Sequence, residues 1–404
     1  MRPMTERSQS NPRRISIFGS TGSIGCNTLD VIEHLGGSDS FRICALTGKG
    51  NTDLLARQAI ACEAEIAVTA DDNRYAALKA ALSGSGVEAA AGPAALIEAA
   101  ERDTDWCMAG IVGMAGLAPT IAAARCGSDI ALANKECLVS AGELFHREIE
   151  TGGGRLLPVD SEHNAIHQVF ERDQRHSIER IILTASGGPF RSLDAAQMAS
   201  VTPDMAAAHP NWSMGIKISI DSASMFNKAL EMIEAMHLFH MRPDQVEVVV
   251  HPQSVIHSMV GYSDGSVLAQ LGAPDMRTAI GYSLAYPQRP ALPVERLDFA
   301  SLARLDFEAP DEERFPSLRL ARRAMESGGL SGAVLNGAKE VALEAFIDGA
   351  VGFLEMADIV EAVMERLGDG GGATSIEAVY EADSTARIIA RELVAGGSAR
   401  SLAT

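Results

Sequence analysis

A glycine-rich segment near the start of the chain restricts the available folds more than any other feature. The segment, Gly19-Ser-Thr-Gly-Ser-Ile-Gly25, follows a short apolar run at residues 15–18 and precedes apolar residues at helical spacing. Glycines let such a strand-to-helix turn approach a pyrophosphate, whose charge is met by free amides at the helix N-terminus. The spacing is GxxGxxG rather than GxGxxG, and a tight turn without a ligand is the alternative. We expect a dinucleotide site here.

The pattern around this segment predicts the fold class. Short apolar runs alternate with helical patterns over residues 14–159, which is typical of a doubly wound, Rossmann-like parallel sheet in the α/β class. The runs are residues 15–18, 41–46, 66–68, 106–112, 130–133 and 156–159. Apolar residues between the first two runs share one helical face, and Gly36-Gly37 predicts the end of that helix.

The end of the second predicted strand bears on which dinucleotide binds. An NAD-binding unit usually has an acidic residue there, which holds the ribose 2′-hydroxyl. This chain instead reads Leu46-Thr-Gly-Lys-Gly-Asn51. Lys49 and the surrounding amides suit a 2′-phosphate, so the sequence favours NADP(H) over NAD(H). The alternative for Lys49 is a solvated lysine at a loop tip.

The remaining sequence divides into further regions. Residues 1–13 are polar and predict a disordered tail, and residues 14–159 form the predicted NADPH-binding domain. Mixed strand and helix patterns predict a separate α+β domain at 160–290, with a candidate lid loop at 203–216. Prolines punctuate a predicted connector at 291–316. Helical periodicity interrupted by glycines predicts a C-terminal helical bundle at 317–404.

Composition excludes several classes of protein. The chain has 404 residues, of which 47% are hydrophobic, and a net charge of −19. That charge argues against nucleic acid as a partner, because nucleic-acid binding needs lysines and arginines to neutralise phosphates. The six cysteines form no CxxC pair, which favours reduced thiols in a cytoplasmic protein. No apolar stretch predicts a membrane span or a signal-peptide core, so we expect no membrane partner.

Two acidic residues follow the last run of the predicted sheet. Asp160 and Glu162 stand where open α/β sheets place their ligands, and they would point to one side if the strand continued. A divalent cation relieves the repulsion between two such carboxylates, and oxygen ligands suit Mg²⁺ or Mn²⁺ better than zinc. A solvated capping pair is the alternative.

A second polar group lies on a predicted helix at residues 222–236. Asn227, Lys228 and Glu231 fall at i, i+1 and i+4, in one sector of an otherwise apolar helix. An amide, an ammonium and a carboxylate together suit a metal ion and an anionic substrate. The alternative is an amphipathic surface helix with a Lys–Glu pair.

Two loops and four histidines complete the candidate site. The loop His209-Pro-Asn-Trp-Ser-Met-Gly215 would expose large apolar groups unless it closed over a ligand, which suggests a lid. Thr184-Ala-Ser-Gly-Gly-Pro-Phe190 is a candidate phosphate seat or a plain turn. His163, His167, His251 and His257 allow a zinc site, but HExxH is absent and structural hydrogen bonding is favoured.

Seven motifs in a fixed order resemble the 1-deoxy-D-xylulose 5-phosphate reductoisomerase family from about residue 14 to the end of the chain. They are GSTGSIG at 19–25, ANKE at 133–136, LLPVDSEHNAI at 156–166, ASGGPF at 185–190, HPNWSMG at 209–215, DSASMFNKALEMIEA at 221–235 and VHPQSVIHSMV at 250–260. One such motif is weak, whereas seven in order are very specific.

The resemblance implies a homodimer that rearranges 1-deoxy-D-xylulose 5-phosphate and reduces it with NADPH to 2-C-methyl-D-erythritol 4-phosphate in non-mevalonate isoprenoid biosynthesis. It also implies that residues 160–290 form the catalytic and dimerisation domain. It implies one Mg²⁺ or Mn²⁺ on Asp160, Glu162 and Glu231, and catalytic roles for Lys135, Glu162 and His209. The implied substrate contacts are Lys135, Ser161, Glu162, Ser186, His209, Trp212, Ser222, Asn227, Lys228 and Glu231. The implied NADPH contacts are Thr21, Gly22, Ser23, Ile24, Gly48, Lys49, Gly50, Asn51, Asn134, Glu136 and Gly215.

Two positions depart from the family pattern, and two other functions stay open at this point. Ile216 stands where the family often has a basic lid residue, and the loop at 48–51 is shifted by one residue relative to the pattern. An NADP- and metal-dependent dehydrogenase or oxidative decarboxylase would share the cofactor and the carboxylates, but it does not need the phosphate cluster. A non-catalytic NADPH sensor or scaffold would not need a metal.

Overall fold

A computed structural model describes residues 12–208, 215–368 and 371–397. The strands it describes form two sheets, one of seven strands and one of four. Their bounds are β1 Arg13–Phe18, β2 Phe41–Gly48, β3 Ile66–Thr69, β4 Glu88–Ala91, β5 Trp106–Ala109, β6 Asp129–Leu132, β7 Leu156–Pro158, β8 Ile178–Ala185, β9 Val246–Val250, β10 Ile256–Tyr262 and β11 Val267–Leu271. The N-terminal tail was predicted to end at residue 13, but Arg13 already belongs to β1. Residues 1–11 lie outside the described range.

Helices account for most of the remaining described chain. Their bounds are α1 Ser23–His34, α2 Gly37–Ser40, α3 Thr52–Ala61, α4 Tyr75–Ala81, α5 Gly92–Ala100, α6 Leu117–Arg125, α7 Lys135–Gly152, α8 Ser161–Val169, α9 Ala195–Met198, α10 Pro203–Ala207, α11 Ile216–Ala223, α12 Phe226–Phe239, α13 Met276–Ala285, α14 Phe299–Leu302, α15 Ser317–Ser327, α16 Ser331–Ile347, α17 Glu355–Leu367 and α18 Ile376–Gly396. Within the described ranges, none of them has the length and apolar character that crossing a bilayer requires.

The chain folds into two compact units. Among the described residues, the first contains 12–134, 148–159 and 276–294, and the second contains 135–147, 160–208, 215–275, 295–368 and 371–397. Two segments therefore belong to a different unit from the one that the sequence predicted for them. The first part of α7 belongs to the second unit, and α13 belongs to the first.

The first unit is a parallel α/β sheet, which confirms the predicted Rossmann-like class. Its strand order is β4-β3-β2-β1-β5-β6-β7, and each neighbouring pair runs parallel. The order reverses direction between β1 and β5, at the loop that follows β1. Ligands of doubly wound sheets bind at such a switch point, so the topology places the glycine-rich segment where a dinucleotide is expected.

The second unit contains the mixed sheet and the C-terminal helices. The sheet order is β11-β10-β8-β9, with β10 antiparallel to both neighbours and β8 parallel to β9. Helix α12 is buried along most of its length and packs against α15 and α11. Helix α16 is likewise buried along most of its length, although its sequence includes Lys339 and two glutamates.

The predicted helix at residues 222–236 is wrong in its boundaries. The structure has two helices there, α11 and α12, separated at Met225, whose φ of 61° lies in the left-handed region. This break changes the direction of the chain directly after Ser222. As a result Asn227, Lys228 and Glu231 lie on a helix different from the one that carries Ser222.

Candidate active site

Three carboxylates come together in the second unit. One oxygen each of Asp160, Glu162 and Glu231 lies within 4.8 Å of the others. Asp160 is the N-cap of α8, Glu162 lies in its first turn, and Glu231 lies on α12. The strand does not continue through these residues, because β7 ends at Pro158 and α8 begins at Ser161. The helix start nevertheless brings the two carboxylates to one place.

Two lysines lie among these carboxylates. Lys135 donates from Nζ to Oδ1 of Asn227 at 2.9 Å and to Oε1 of Glu231 at 3.0 Å, and it also contacts Asp160. Lys228 donates to Oε1 of Glu162 at 2.8 Å and contacts Glu231. The site therefore consists of closely balanced opposite charges. It offers both oxygen ligands for a cation and ammonium groups for an anionic substrate.

Burial and these contacts shift the pKa values of Glu231 and Glu162 in opposite directions. Glu231 is fully buried, and burial together with the Glu162 charge raises the pKa of its carboxyl. Burial also opposes ionisation of Glu162, but the Lys228 ammonium outweighs it and holds the pKa of Glu162 well below its usual range. Ser161 adds a hydrogen bond from Oγ to Oε2 of Glu162 at 2.5 Å. Glu162 is thus kept ionised next to a carboxyl that is costly to ionise.

The structure adds Glu234 to this cluster and pairs it with His163, and the sequence did not predict this pair. The Nε2 atom of His163 lies 2.9 Å from the carbonyl oxygen of Glu231, and Nδ1 lies 3.0 Å from Oε2 of Glu234. Burial disfavours the charged imidazole, but the Glu234 carboxylate outweighs it and raises the pKa of His163 to about 9. A second acid three residues after Glu231, on the same buried helix, was the signal that could have identified Glu234.

The candidate phosphate seat packs against the end of α11. Ser186 follows β8, and its Oγ accepts a hydrogen bond from the Gly188 amide at 3.2 Å. A Cβ on Gly188 would lie 3.0 Å from Cα of Ala223 and 3.1 Å from the carbonyl oxygen of Ser222. With its φ of +65°, Gly188 allows a close approach that other residues would strain. Ser186 and Ser222 are therefore brought together from segments far apart in sequence.

In the first unit, the glycine-rich loop has the geometry of a phosphate loop. Gly19 has a φ of +84°, and a Cβ there would lie 2.6 Å from the carbonyl oxygen of Gly110. A Cβ on Gly25 would lie 2.4 Å from the carbonyl oxygen of Gly19, so the turn packs tightly on α1. Among the described residues, no side chain caps α1. Its N-terminal amides, with Thr21, Gly22, Ser23 and Ile24, are thus placed to receive an anion.

The second expected cofactor segment follows β2. Gly48, Lys49 and Gly50 lead into α3, and Lys49 and Gly50 are exposed. Asn51 caps α3 by accepting a hydrogen bond from the Leu54 amide at 3.0 Å. This contact engages the side-chain oxygen of Asn51 in capping the helix. The backbone amide of Asn51 and the residues before it remain available to a ligand.

The other expected residues are distributed as follows. Asn134 is buried, and its side chain donates to carbonyl groups of Ile111 and, at 2.9 Å, of Gly113. Glu136 follows Lys135 in the first turn of α7, where burial raises the pKa of its carboxyl. Gly215 is the exposed N-cap of α11. His209 and Trp212, with the central part of the expected lid, lie outside the described residues.

The histidines that allowed a zinc site have protein partners, and one of them, His163, also lies within 4.8 Å of carboxylate oxygens of Asp160 and Glu234. Besides the two contacts of His163, the Nδ1 atom of His251 lies 2.9 Å from the carbonyl oxygen of Asp306. The Nδ1 atom of His167 lies 3.1 Å from the Arg172 guanidinium. These contacts agree with the structural hydrogen bonding expected for them, and oxygen ligands dominate the cluster at Asp160.

Comparison with known proteins places this geometry in a family. The family model described as 1-deoxy-D-xylulose 5-phosphate reductoisomerase matches residues 15–142, its C-terminal domain model matches 156–239, and a further model, DXP reductoisomerase C-terminal domain, matches 271–389. The 1-deoxy-D-xylulose 5-phosphate reductoisomerase of Sinorhizobium fredii (strain NBRC 101917 / NGR234) is 72% identical over 382 residues, which cover 95% of this chain and 98% of that protein.

Solved structures agree with the sequence relatives. The reductoisomerase from Zymomonas mobilis in complex with NADPH is 52% identical, with a TM-score of 0.90, and the match covers 95% of this chain and 99% of that one. A DOX-P reductoisomerase in complex with NADPH, fosmidomycin and magnesium is 39% identical, with a TM-score of 0.89 and coverage of 95% and 98%. The chain belongs to the 1-deoxy-D-xylulose 5-phosphate reductoisomerase family.

Proposed function

We propose that this chain converts 1-deoxy-D-xylulose 5-phosphate to 2-C-methyl-D-erythritol 4-phosphate, using NADPH and one divalent metal ion. The observation that carries the proposal is the convergence of Asp160, Glu162 and Glu231 with Lys135 and Lys228 in a chain of this family. The relatives' complexes with NADPH and magnesium support the same two cofactors. The reaction belongs to isoprenoid biosynthesis.

The three carboxylates fit a hard divalent cation. Their oxygens converge within 4.8 Å, Glu231 is fully buried, and oxygen donors are the ligands that Mg²⁺ and Mn²⁺ prefer. Three carboxylates gathered around a buried position are costly unless cations offset their charge. Asp160, Glu162 and Glu231 would hold the ion, which when bound polarises the substrate carbonyl as a Lewis acid.

The lysines and hydroxyl groups would position the substrate. The Lys135 ammonium lies between α8 and α12, where it can stabilise negative charge that develops on a substrate oxygen. Ser161 holds Glu162 by a hydrogen bond, and Glu162, kept ionised by Lys228, is suited to hold a cation beside the substrate. We assign the phosphate end of the substrate to Ser186, Ser222, Asn227 and Lys228, together with His209.

The cofactor would bind the first unit through its phosphates. The amides that follow Gly19 at the start of α1 suit the pyrophosphate, and the exposed Lys49 suits the 2′-phosphate. NADPH supplies the hydride. We place Asn134, Glu136 and Gly215 near the cofactor on the basis of the motif resemblance.

We further propose a cytoplasmic homodimer with a lid that includes Trp212. Support for the dimer comes from β11, which lies at the edge of the mixed sheet and exposes Val267 and Leu268. The lid follows from the motif resemblance. Sedimentation of the purified protein at several concentrations, repeated with Val267→Lys, tests the dimer.

One assay tests the main proposal. Purified protein is mixed with NADPH, Mg²⁺ and 1-deoxy-D-xylulose 5-phosphate, and the loss of absorbance of the reduced nicotinamide is followed. We expect oxidation that stops when a chelator is added and resumes with excess Mg²⁺. The same protein should be inactive toward the unphosphorylated pentulose. Turnover that is insensitive to the chelator, or an absence of turnover with the phosphate ester, would contradict the proposal.

A further inference from the structure

Two ion pairs connect α11 to α16 inside the second unit. Lys217 near the start of α11 lies 2.7 Å from Glu344, and both side chains are about half exposed, at 49% and 50%. Near the other end of α11, Nζ of Lys339 donates to Oδ2 of Asp221 at 2.9 Å, and here the side chains are only 4% and 11% exposed. Exposed pairs contribute little, whereas the loss of one partner from a buried pair has large consequences.

The buried Lys339 also interacts with Glu136, at the start of α7. Burial disfavours its charge, but Asp221, Glu136 and Glu340 outweigh that effect and raise the pKa of Lys339. Lys339 is in turn the nearby charge that most opposes the raised pKa of Glu136. Glu136 directly follows Lys135, whose ammonium contacts the three-carboxylate cluster. The Lys339 ammonium on α16 therefore interacts with Glu136 in the first turn of α7 and with Asp221 in the last turn of α11.

The last turn of α11 leads directly into the candidate phosphate seat. Asp221 precedes Ser222, and the loop that carries Ser186 packs closely on this turn, since a Cβ on Gly188 would lie 3.0 Å from Cα of Ala223. The residue that follows α11, Ser224, is held by a hydrogen bond that Ser317 donates to its carbonyl oxygen at 2.9 Å. Because these contacts are tight, any shift of Asp221 is passed to Ser222 and to the loop.

We propose that Lys339 is a positioning residue, which fixes Ser222 and the 186–188 loop through Asp221 and so sets the affinity for the phosphate end of the substrate. This inference rests on the proposed function. Lys339 lies on the C-terminal helices and belongs to none of the seven motifs, so neither the motif order nor the spacing of the site residues indicated it.

Kinetics of three variants test the role. In Lys339→Gln the KM for 1-deoxy-D-xylulose 5-phosphate should rise roughly tenfold or more, as expected when a binding group is displaced by a fraction of an ångström. The affinity for Mn²⁺ should stay within about twofold, because the three carboxylates lie on α8 and α12 rather than on α11. Lys217→Gln, which removes the exposed pair between the same two helices, is the matched control and should leave both values unchanged.

A double variant separates positioning from stability. Lys339→Met with Asp221→Leu removes both buried charges, so its melting temperature should recover relative to Lys339→Gln. If Lys339 positions Ser222, the KM for the phosphorylated substrate stays high in this variant. A double variant with wild-type melting temperature and wild-type KM would overturn the inference, as would an unchanged KM in folded Lys339→Gln. An inactive wild-type protein would instead contradict the proposed function.

Discussion

Lys228 donates from Nζ to Oε1 of Glu162 at 2.8 Å, although 66 residues separate them in the sequence. The same ammonium contacts Glu231 on its own helix, and its side chain is only 4% exposed. Lys228 thus joins the first turn of α8 to α12 and touches two of the three candidate metal ligands. The position of one lysine therefore governs both the geometry and the charge of the cluster.

Replacing Lys228 by Gln should lower activity without weakening metal binding. The variant keeps a polar side chain but loses the charge that holds Glu162 ionised and that we assign to the substrate phosphate. We expect kcat/KM to fall by roughly a hundredfold or more, since an oriented charge is lost from the site. Affinity for Mn²⁺, measured by calorimetry, should be equal to or tighter than that of the wild type. A weaker affinity for Mn²⁺ would contradict this reasoning; Lys217→Gln serves as the control.

Replacing Glu231 by Gln should have the opposite effect on the metal. The amide keeps the shape but removes one of three converging negative charges, so the affinity for Mn²⁺ should fall by at least roughly tenfold, and turnover should drop steeply. NADPH should still bind, because its phosphate loop belongs to the other compact unit. Titration of Mn²⁺ monitored by spin resonance provides the measurement, with the exposed Glu344→Gln as the control. Undiminished affinity together with normal turnover would mean that the carboxylates share no ion.

The architecture was accessible from the sequence because its signals are local. Alternating apolar runs and a glycine turn depend on neighbouring residues, and they predicted the parallel sheet and the loop after β1 correctly. The break at Met225 was not accessible, since a methionine with left-handed φ has no sequence signal of its own and is imposed by packing on both sides.

Only some of the residues of the site could be predicted from the sequence. Asn227, Lys228 and Glu231 could be grouped because a helix repeats every 3.6 residues. The contacts of His163 with Glu234 and of Lys339 with Asp221 join segments 71 and 118 residues apart, and only the tertiary fold pairs them. Buried ion pairs of this kind follow from the fold rather than from spacing along the chain.

Replacing Lys49 by Glu should change the choice of cofactor. Lys49 is exposed at the end of β2, and the segment has no acid that would hold a ribose 2′-hydroxyl. A glutamate there would repel a 2′-phosphate, so the preference for NADPH over NADH in kcat/KM should fall roughly tenfold to a hundredfold, the worth of one hydrogen bond to a charged group. Lys79→Glu makes the same charge change at an exposed site on α4 and should leave the ratio unaltered. An unchanged ratio in Lys49→Glu would exclude Lys49 as the 2′-phosphate contact.

The stability of the second unit should decrease as the pH falls from about 6.5 to 4, in part because of His237. Burial, followed by the neighbouring His146 and His240, lowers the pKa of His237 to about 4. Its ring also packs against α7, where a Cβ on Gly142 would lie 2.6 Å from its Cε1 atom. The folded state therefore disfavours a proton that the unfolded state accepts near pH 6.5.

Because the folded-state pKa is depressed, the contribution of His237 is fully present above pH 6.5 and is lost as the pH falls toward 4. A shift from 6.5 to about 4 corresponds to roughly 3–3.5 kcal/mol of unfolding free energy. Urea unfolding of the wild type and of His237→Gln at pH 7.5 and pH 4.5 measures it. The wild type should lose more stability between the two pH values than the variant does, whereas His34→Gln, at an exposed histidine of the first unit, should behave like the wild type. Equal losses in the wild type and in His237→Gln would show that this imidazole does not contribute to the acid sensitivity.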